Sequence, residues 1–402
     1  SLNDAVVDAN ANVVERFNVK LEQLVHSAWT KGDEVRTLIL SGDDAFDLGT
    51  IHDCTAGNLS LEGLFHNLYE VPHLNFEKPW WPAYTTESLT LNGKMYLISN
   101  YMTYYGFWAT RTMFFNIDLF KDFGLESPYT MVKEDRWTLD NVISMTKDVY
   151  EDTNGDGVRD ATDFYGFTAE HATNLDVYPF AFDMPIFSRN ADGMPELVIN
   201  TEKTISAVER INKLYWETAG TYVPEGDYWL PITMFRDGYA LFTTTYLKNA
   251  FDTYREMEDD YSILPYPKWD ENQEKYLTGA MDNYSVLGVP ITASDTEMIS
   301  IITESLNVES YKTLYPTYYE QALQNKYSRD EESIEMINLL MEGRNFDFST
   351  LFAGQITGMS TLFREVINSK SGDFASKYAS KEKSALAGLE KVLEAYEKNQ
   401  AN

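Results

Sequence analysis

The chain has few of the residues that mark a disulfide-bonded or nucleic-acid-binding protein. Its 402 residues include one cysteine, Cys54, which excludes an internal disulfide and a zinc site built from several cysteines. Its 32 Lys and Arg are outnumbered by 63 Asp and Glu, and a net charge of −31 argues against nucleic acid or an anionic membrane as partner. No apolar run approaches the length of a transmembrane helix, and the residues after Ser1 do not resemble a signal peptide.

Catalytic signatures are also missing. The five histidines show no HExxH or paired spacing, and the chain contains no GxSxG, GxGxxG or GxxxxGK segment. We therefore expect no enzymatic activity. A glycoside hydrolase remains an alternative, because its carboxylate pair would leave no recognisable spacing among so many acidic residues.

One acidic segment has a clear spacing. Residues 152–163 read DTNGDGVRDATD, which follows the calcium loop of an EF-hand, with Gly157 at the position of the sharp turn. Because the last ligand is Asp rather than Glu, its shorter side chain favours weaker or water-completed coordination. We expect a structural Ca²⁺ in this loop. Its ligands are the backbone carbonyl of Val158 and the side chains of Asp152, Asn154, Asp156, Asp160 and Asp163.

Hydrophobic periodicity predicts an α/β protein with short connections and no repeats. The predicted helices are 4–16, 33–40, 138–151 and 201–216, followed by an almost wholly helical stretch from 331 to the end. The predicted strands are 19–25, 46–51, 107–116, 164–168, 261–265 and 284–290, with a hairpin turn at Asn92-Gly93. Since a doubly wound lobe usually opens on a strand, we expect its first strand to lie upstream of Ser1.

Aromatic residues are abundant, with 27 Tyr, 22 Phe and 8 Trp. An aromatic face suits a sugar, because a pyranose ring presents C–H groups to the ring while its hydroxyls bond to Asp and Asn. Packing in the core is the alternative for each cluster. The clusters are Trp80-Trp81 with Tyr84, then Tyr101, Tyr104, Tyr105 and Trp108, and Tyr228-Trp229.

Several short segments together resemble one family. They are FDLGTIHD (46–53), LNGKMYLI (91–98), MFFNIDLFKDFGL (113–125), RWTLDNV (136–142) before the acidic loop, ILPYPKWDENQEKY (263–276) and YSVLGVP (284–290). In these segments the chain resembles the extracellular solute-binding proteins of ABC importers, in the carbohydrate group that includes the maltose-binding proteins. A subset of that group carries a calcium-like loop at this place.

The resemblance implies a two-lobe periplasmic-binding-protein type II fold, with a hinge, an inter-lobe cleft and a helical C-terminal region. It places lobe 1 at 1–111 and 283–308, and lobe 2 at 112–282 and 309–402. It also suggests which residues contact the ligand. Asp53 matches the family's hydroxyl acceptor, and Met359 lies where maltose binders hold aromatic residues. The full expected set is His52, Asp53, Tyr101, Tyr104, Tyr105, Trp229, Tyr246, Asp282, Tyr284 and Met359.

The implied function is capture of a carbohydrate, expected to be an oligosaccharide, and its delivery to the membrane permease of an ABC transporter. We expect a monomer outside the cytosol, either a cell-surface lipoprotein or a periplasmic protein, whose signal and anchor lie outside this chain. Alternatives are a binding protein for another solute such as a peptide, a glycoside hydrolase, or a surface adhesin in which the loop and aromatics only stabilise the fold.

Overall fold

The computed structural model describes residues 2–25, 32–102, 105–279, 285–324 and 331–399, without the side chains of 105, 318, 321–324 and 331. The helices are α1 (Leu2–Phe17), α2 (Gly32–Leu40), α3 (Asp53–Leu61), α4 (Ala83–Leu89), α5 (Tyr105–Trp108), α6 (Ile117–Asp122), α7 (Pro128–Lys133), α8 (Leu139–Thr146), α9 (Tyr178–Ala181), α10 (Glu202–Trp216), α11 (Leu230–Arg236), α12 (Thr296–Gln324), α13 (Glu331–Glu342), α14 (Leu362–Asn368) and α15 (Phe374–Lys398). The strands are β1 (Gly49–His52), β2 (Arg111–Asn116), β3 (Tyr150–Glu151), β4 (Phe164–Ala169), β5 (Phe187–Arg189), β6 (Pro195–Leu197), β7 (Thr221–Tyr222), β8 (Ala240–Tyr246), β9 (Tyr261–Leu264), β10 (Thr278–Gly279), β11 (Ser285–Gly288) and β12 (Arg344–Asn345).

The larger sheet has the order β3-β4-β8-β2-β9, with β7 paired to β4. Every residue of β2 and β4 is buried, so neither strand shows the apolar–polar alternation of a strand with one exposed face. β4 and β8 are parallel, while β2 runs antiparallel to both β8 and β9. The mixed α/β architecture expected from the sequence is confirmed.

Three two-stranded sheets accompany the larger sheet among the described residues, and one of them pairs β1 with β11 in antiparallel register. An isolated bridge between Ile98 and Leu287 of β11 joins the segment after the Asn92-Gly93 turn to this sheet. That turn is confirmed, since both of its residues have positive φ and Leu91 and Lys94 exchange backbone hydrogen bonds. The strand predicted at 19–25 was wrong: these residues have no regular structure, Val25 is 78% exposed, and no strand among the described residues pairs with them.

The C-terminal helix packs against the chain around the Asn92-Gly93 turn. The buried ammonium group of Lys94 donates to the carbonyls of Tyr396 and Glu397 at the end of α15, and Tyr96 packs edge-on against Tyr396. These contacts attach α15 to residues placed in lobe 1 by the sequence, although α15 itself was assigned to lobe 2. The lobe boundaries therefore stay a prediction.

Two helical predictions were too long. The helix expected over 138–151 ends at Thr146, and the chain then forms β3. The almost wholly helical C-terminal region is interrupted between α13 and α14. Thr357 and Gly358 both have positive φ there, a conformation that a continuous right-handed helix does not accept.

Candidate functional site

One edge of the larger sheet collects polar and aromatic side chains. β4 ends just before Glu170, β8 ends at Tyr246, and β2 begins at Arg111, which lies directly opposite Tyr246. Because β4 and β8 are parallel, their carboxyl ends meet at this edge. In open α/β sheets this is the edge at which ligands bind.

Arg111 connects the residues of this edge. It is 1% exposed, and its Nη1 donates to Asn174 Oδ1 at 2.7 Å and lies 3.6 Å from a carboxylate oxygen of Glu170. The guanidinium carbon lies 3.4 Å from the centre of the Tyr246 ring. Tyr246, a predicted ligand residue, therefore has one face fixed against a buried cation.

An aromatic surface borders the same edge. Trp229 is 59% exposed and Tyr228 is 51% exposed. The Lys248 ammonium lies 5.4 Å from the Trp229 ring and 5.7 Å from the Tyr246 ring, so these two predicted residues are near neighbours. Large exposed aromatic side chains at a polar edge offer the flat apolar surface that a sugar ring requires.

His52 and Asp53 lie where β1 ends and α3 begins. Asp53 is 2% exposed, and its Oδ1 accepts from the Cys54 N–H at 2.6 Å and lies 3.0 Å from His52 Nδ1. The Cys54 thiol donates to the Thr350 carbonyl. Ligand atoms of the three residues lie within 4.8 Å of one another, and these residue types can hold a metal ion, but Asp53 Oδ1 and Cys54 Sγ already form contacts within the protein.

The other predicted ligand residues differ in their surroundings. Tyr101 packs edge-on against Tyr311 and Tyr315, and burial raises its pKa to about 12. Met359 is 1% exposed and belongs to the hydrophobic core, so its side chain offers almost no surface to a ligand. Tyr104, the side chain of Tyr105, Asp282 and Tyr284 lie outside the described residues.

The Trp80-Trp81 pair has a structural partner. Both indole N–H groups donate to the carboxylate of Glu304 on α12, at 2.7 and 2.9 Å. These contacts use the polar group of each ring within the protein, which favours the packing interpretation of this cluster.

Glu304→Gln is expected to lower the free energy of unfolding by about 1–2 kcal/mol, because the amide has one acceptor oxygen for two indole donors. Urea unfolding followed by tryptophan fluorescence measures the change. Glu320→Gln, at an exposed position of the same helix, is the control. Equal stability of the two variants would contradict the role of Glu304.

The structure contains a cavity of about 300 Å³ that no sequence pattern predicted. It lies between α4, which contributes Tyr84, Glu87 and Ser88, and the segments 179–189 and 345–348. Burial raises the pKa of Asp347 in its wall, although N–H donors from Ser349 and Phe187 oppose the shift. Its walls come from three segments far apart in sequence, and the residues of each one show no spacing that identifies a site.

The acidic loop connects β3 to β4, so the helix–loop–helix arrangement of an EF-hand is absent. Asp152 accepts from the N–H groups of Gly155 and Gly157, at 2.7 and 2.9 Å, and both glycines have φ of 73°. Positive φ is the conformation that lets glycine turn the chain sharply. The backbone thus holds Asp152 in place at the start of the loop.

Asp163 is the feature of the loop that most favours a cation. It is 0% exposed, and its Oδ2 accepts from the Tyr150 hydroxyl and the Asp160 N–H, while its Oδ1 has no hydrogen-bond partner. A buried carboxylate oxygen without a donor is unfavourable, and a bound ion would remove that cost. Among the described residues three Asp, Glu, His or Cys ligand atoms lie within 4.8 Å only at 52–54, so Ca²⁺ would draw the loop carboxylates together.

No family model matches the sequence, and no curated protein matches it. Solved structures do match. The maltose-bound extracellular solute-binding protein of Staphylococcus aureus has a TM-score of 0.62 at 13% identity, over 99% of this chain and 95% of that one. An ABC substrate-binding protein of Listeria monocytogenes in complex with cycloalternan gives 0.59 at 14% identity, over 98% and 96%. This chain has the solute-binding-protein fold.

The maltotriose-bound maltotriose binding protein of Thermus thermophilus gives the same result, with a TM-score of 0.56 at 14% identity, over 98% of this chain and 97% of that one. Matches over nearly the whole length confirm the two-lobe solute-binding-protein fold expected from the sequence. All three are named as binding proteins. None of the described helices is both long and apolar enough to cross a membrane. The individual ligand residues stay predictions.

Proposed function

We propose that this protein captures a carbohydrate between its lobes and delivers it to an ABC transporter permease, acting outside the cytosol and without enzymatic activity. The observation that carries the proposal is the full-length likeness to three sugar-bound solute-binding structures. The exposed aromatic surface at the edge of the larger sheet supports the carbohydrate class.

The proposed residues make two kinds of contact with the sugar, aromatic stacking and hydrogen bonds. Trp229 and Tyr246 present aromatic faces, and the position of Tyr246 is fixed by Arg111 behind it. Asp53 accepts hydrogen bonds from hydroxyls, with His52 beside it. Burial of the sugar between two lobes stabilises the closed form, so affinity depends on how strongly the contacts favour the closed form over the open one.

We also propose Ca²⁺ as a structural ligand of the loop 152–163. Oxygen donors from side chains and one backbone carbonyl form the type of shell that Ca²⁺ prefers. The buried, unpartnered Oδ1 of Asp163 supports the assignment. Arg159 is a residue of this loop, and it donates to the carbonyls of Thr218 and Ala219. Ca²⁺ that orders the loop would therefore order this neighbouring segment as well.

A thermal-shift screen against mono-, di- and oligosaccharides tests the function. A sugar at 100 times its Kd stabilises the folded state by about 2.7 kcal/mol, so its melting temperature rises. Asp53→Asn is expected to weaken binding at least tenfold, because the amide loses a charge-assisted acceptor, with little change in the sugar-free melting temperature.

Asp122→Asn, on the exposed end of α6, is the matched control and should bind as the parent does. Stabilisation by peptides but by no sugar would show a different solute class. Reducing ends released from a glycan panel would show a hydrolase. Undiminished affinity in Asp53→Asn would remove Asp53 from the site.

A further inference from the structure

Lys248 is a charged neighbour of both aromatic residues proposed to contact the sugar. Its ammonium lies 5.4 Å from the centre of the Trp229 ring and 5.7 Å from the centre of the Tyr246 ring. It follows β8 directly, in the short 3-10 helix Leu247–Ala250, at the edge where ligands bind in open α/β sheets. A sugar that contacts both rings would therefore lie within reach of this ammonium.

The backbone holds Lys248 at this edge. Its carbonyl accepts from the N–H groups of Phe251 and Asp252, at 2.9 and 3.2 Å. Leu247, the residue before it, is fully buried, and the Leu247 N–H donates to the Thr110 carbonyl at 2.8 Å. A fixed backbone limits the positions that the ammonium can reach, so the charge stays near the two rings.

Two acidic residues near this edge are each paired with another cation. Glu170, directly after β4, lies 3.6 Å from the Arg111 guanidinium. Glu225, a few residues before Trp229, lies 2.6 Å from the Lys370 ammonium. Their carboxylates are therefore already neutralised by groups other than Lys248.

Two further carboxylates lie close to this site along the chain, and both bind groups other than Lys248. Asp252 accepts from the Thr253 N–H at 2.6 Å and from its hydroxyl at 3.0 Å. Asp227 accepts from the Trp229 N–H at 2.9 Å. Among the described residues no carboxylate forms an ion pair with Lys248, so an anionic group of a ligand would be its first charged partner there.

The net charge of −31 does not oppose a small anionic ligand as it opposes nucleic acid or a membrane. Those partners carry many charges over a wide surface, so many carboxylates of the chain would repel them. A single anionic group responds mainly to the charges beside it, because exposed charges more than about 8 Å apart are largely screened at physiological salt. In this site the charge beside it is the Lys248 ammonium.

We propose that Lys248 is a specificity-determining residue that binds an anionic group of the sugar, and that the solute is an acidic saccharide rather than a neutral one. The proposal rests on the carbohydrate function proposed above and narrows its substrate class. A carboxylate or a sulfate accepts a charge-assisted hydrogen bond from the ammonium, which is roughly twice as strong as a bond between neutral groups. Trp229 and Tyr246 stack on the ring that carries the anionic group.

Three matched pairs of probes test the preference: digalacturonate and its dimethyl ester, cellobiouronate and cellobiose, and neocarrabiose 4-sulfate and neocarrabiose. Isothermal titration calorimetry of the full chain should show, in any pair that binds, an anionic member at least tenfold tighter than its neutral partner. A preference confined to the uronate pairs assigns a carboxylate to the solute, and one confined to the third pair assigns a sulfate.

A neutral member that binds as tightly as its anionic partner would overturn this inference and leave the carbohydrate function intact. So would a neutral sugar that stabilises the protein in the thermal-shift screen while no anionic probe binds. Failure of every sugar in both experiments would overturn the carbohydrate function itself and this inference with it.

Lys248→Gln tests the residue. It should reduce the anionic-to-neutral affinity ratio at least fivefold, because the amide carries no charge, and Lys248→Met should do the same while keeping the apolar stem. Lys248→Arg keeps a cation and should stay within threefold of the parent ratio. Lys391→Gln, at an exposed position of α15, makes the same change in net charge and should keep the parent ratio. An unchanged ratio in any neutral Lys248 variant that circular dichroism shows to be folded would overturn the role of Lys248.

Discussion

Replacing Arg111 by methionine is expected to lower the free energy of unfolding by about 3–5 kcal/mol, the cost of leaving one member of a buried ion pair uncompensated. Arg111 is 1% exposed, and the Glu170 side chain 3.6 Å away is 8% exposed. The substitution also removes the donor to Asn174 and the cation behind the Tyr246 ring. Urea unfolding followed by far-UV circular dichroism measures the change.

A double-mutant cycle separates the pair from its surroundings. Glu170→Gln in the Arg111→Met background should recover part of the loss, because no buried charge is then left alone. Arg136→Met is the surface control, with an expected cost below about 1 kcal/mol. A cost below about 1 kcal/mol for Arg111→Met would mean that the N–H and hydroxyl donors from Asn174 and Thr173 compensate Glu170 without the arginine.

The parts of the fold that depend on neighbouring residues could be predicted from the sequence. The sequence predicts a helix that begins at Thr201, and the Thr201 hydroxyl oxygen accepts from the Thr204 N–H at the N-terminus of α10. The Asn92-Gly93 turn was confirmed, and Gly157 has the positive φ that the sharp turn of a calcium loop requires. In each case a few adjacent residues contain the physical cause of the structure.

Other features depend on contacts between residues far apart in the chain. Val19–Val25 has the alternation of a strand, but a strand also needs an edge to pair with, and no described residue pairs with this segment as a strand. The helix predicted over 138–151 ended early because Tyr150 and Glu151 pair with β4 instead. In the first case the lack of a pairing partner, and in the second the presence of one, outweighed local preference.

In the candidate site, too, some residues could be predicted from the sequence, while features built from distant residues could not. Trp229 was predicted from the Tyr228-Trp229 cluster and Tyr246 from the family resemblance, and the two lie near each other around Lys248. The cavity between α4 and the β5–β6 hairpin was missed. Arg189 in its wall binds backbone carbonyls, which every residue possesses, so no residue type in the sequence identifies its partners.

Removing the proposed Ca²⁺ is the second change with a large expected effect. Relative to protein with free Ca²⁺ at 100 times its Kd, chelation should lower the free energy of unfolding by about 2.7 kcal/mol, with a lower melting temperature. Differential scanning calorimetry in calcium and in chelator measures it. Asp163→Asn should bring the melting temperature in calcium close to that of the chelated parent, since it removes the charge that faces the ion. Asp122→Asn should respond to calcium as the parent does.

The affinity for sugar should differ less than twofold between protein in calcium and folded protein in chelator. The loop precedes β4 and the candidate edge follows it, so the six residues from Phe164 to Ala169 separate them by about 17 Å at the rise of an extended strand. β4 is buried along its whole length and paired on both sides, and it stays in place when the loop loosens. A clear loss of affinity in calcium-free protein that is still folded would contradict this separation. It would then assign to Ca²⁺ an effect on the position of Glu170, at the far end of β4, and through it on Arg111 and Tyr246.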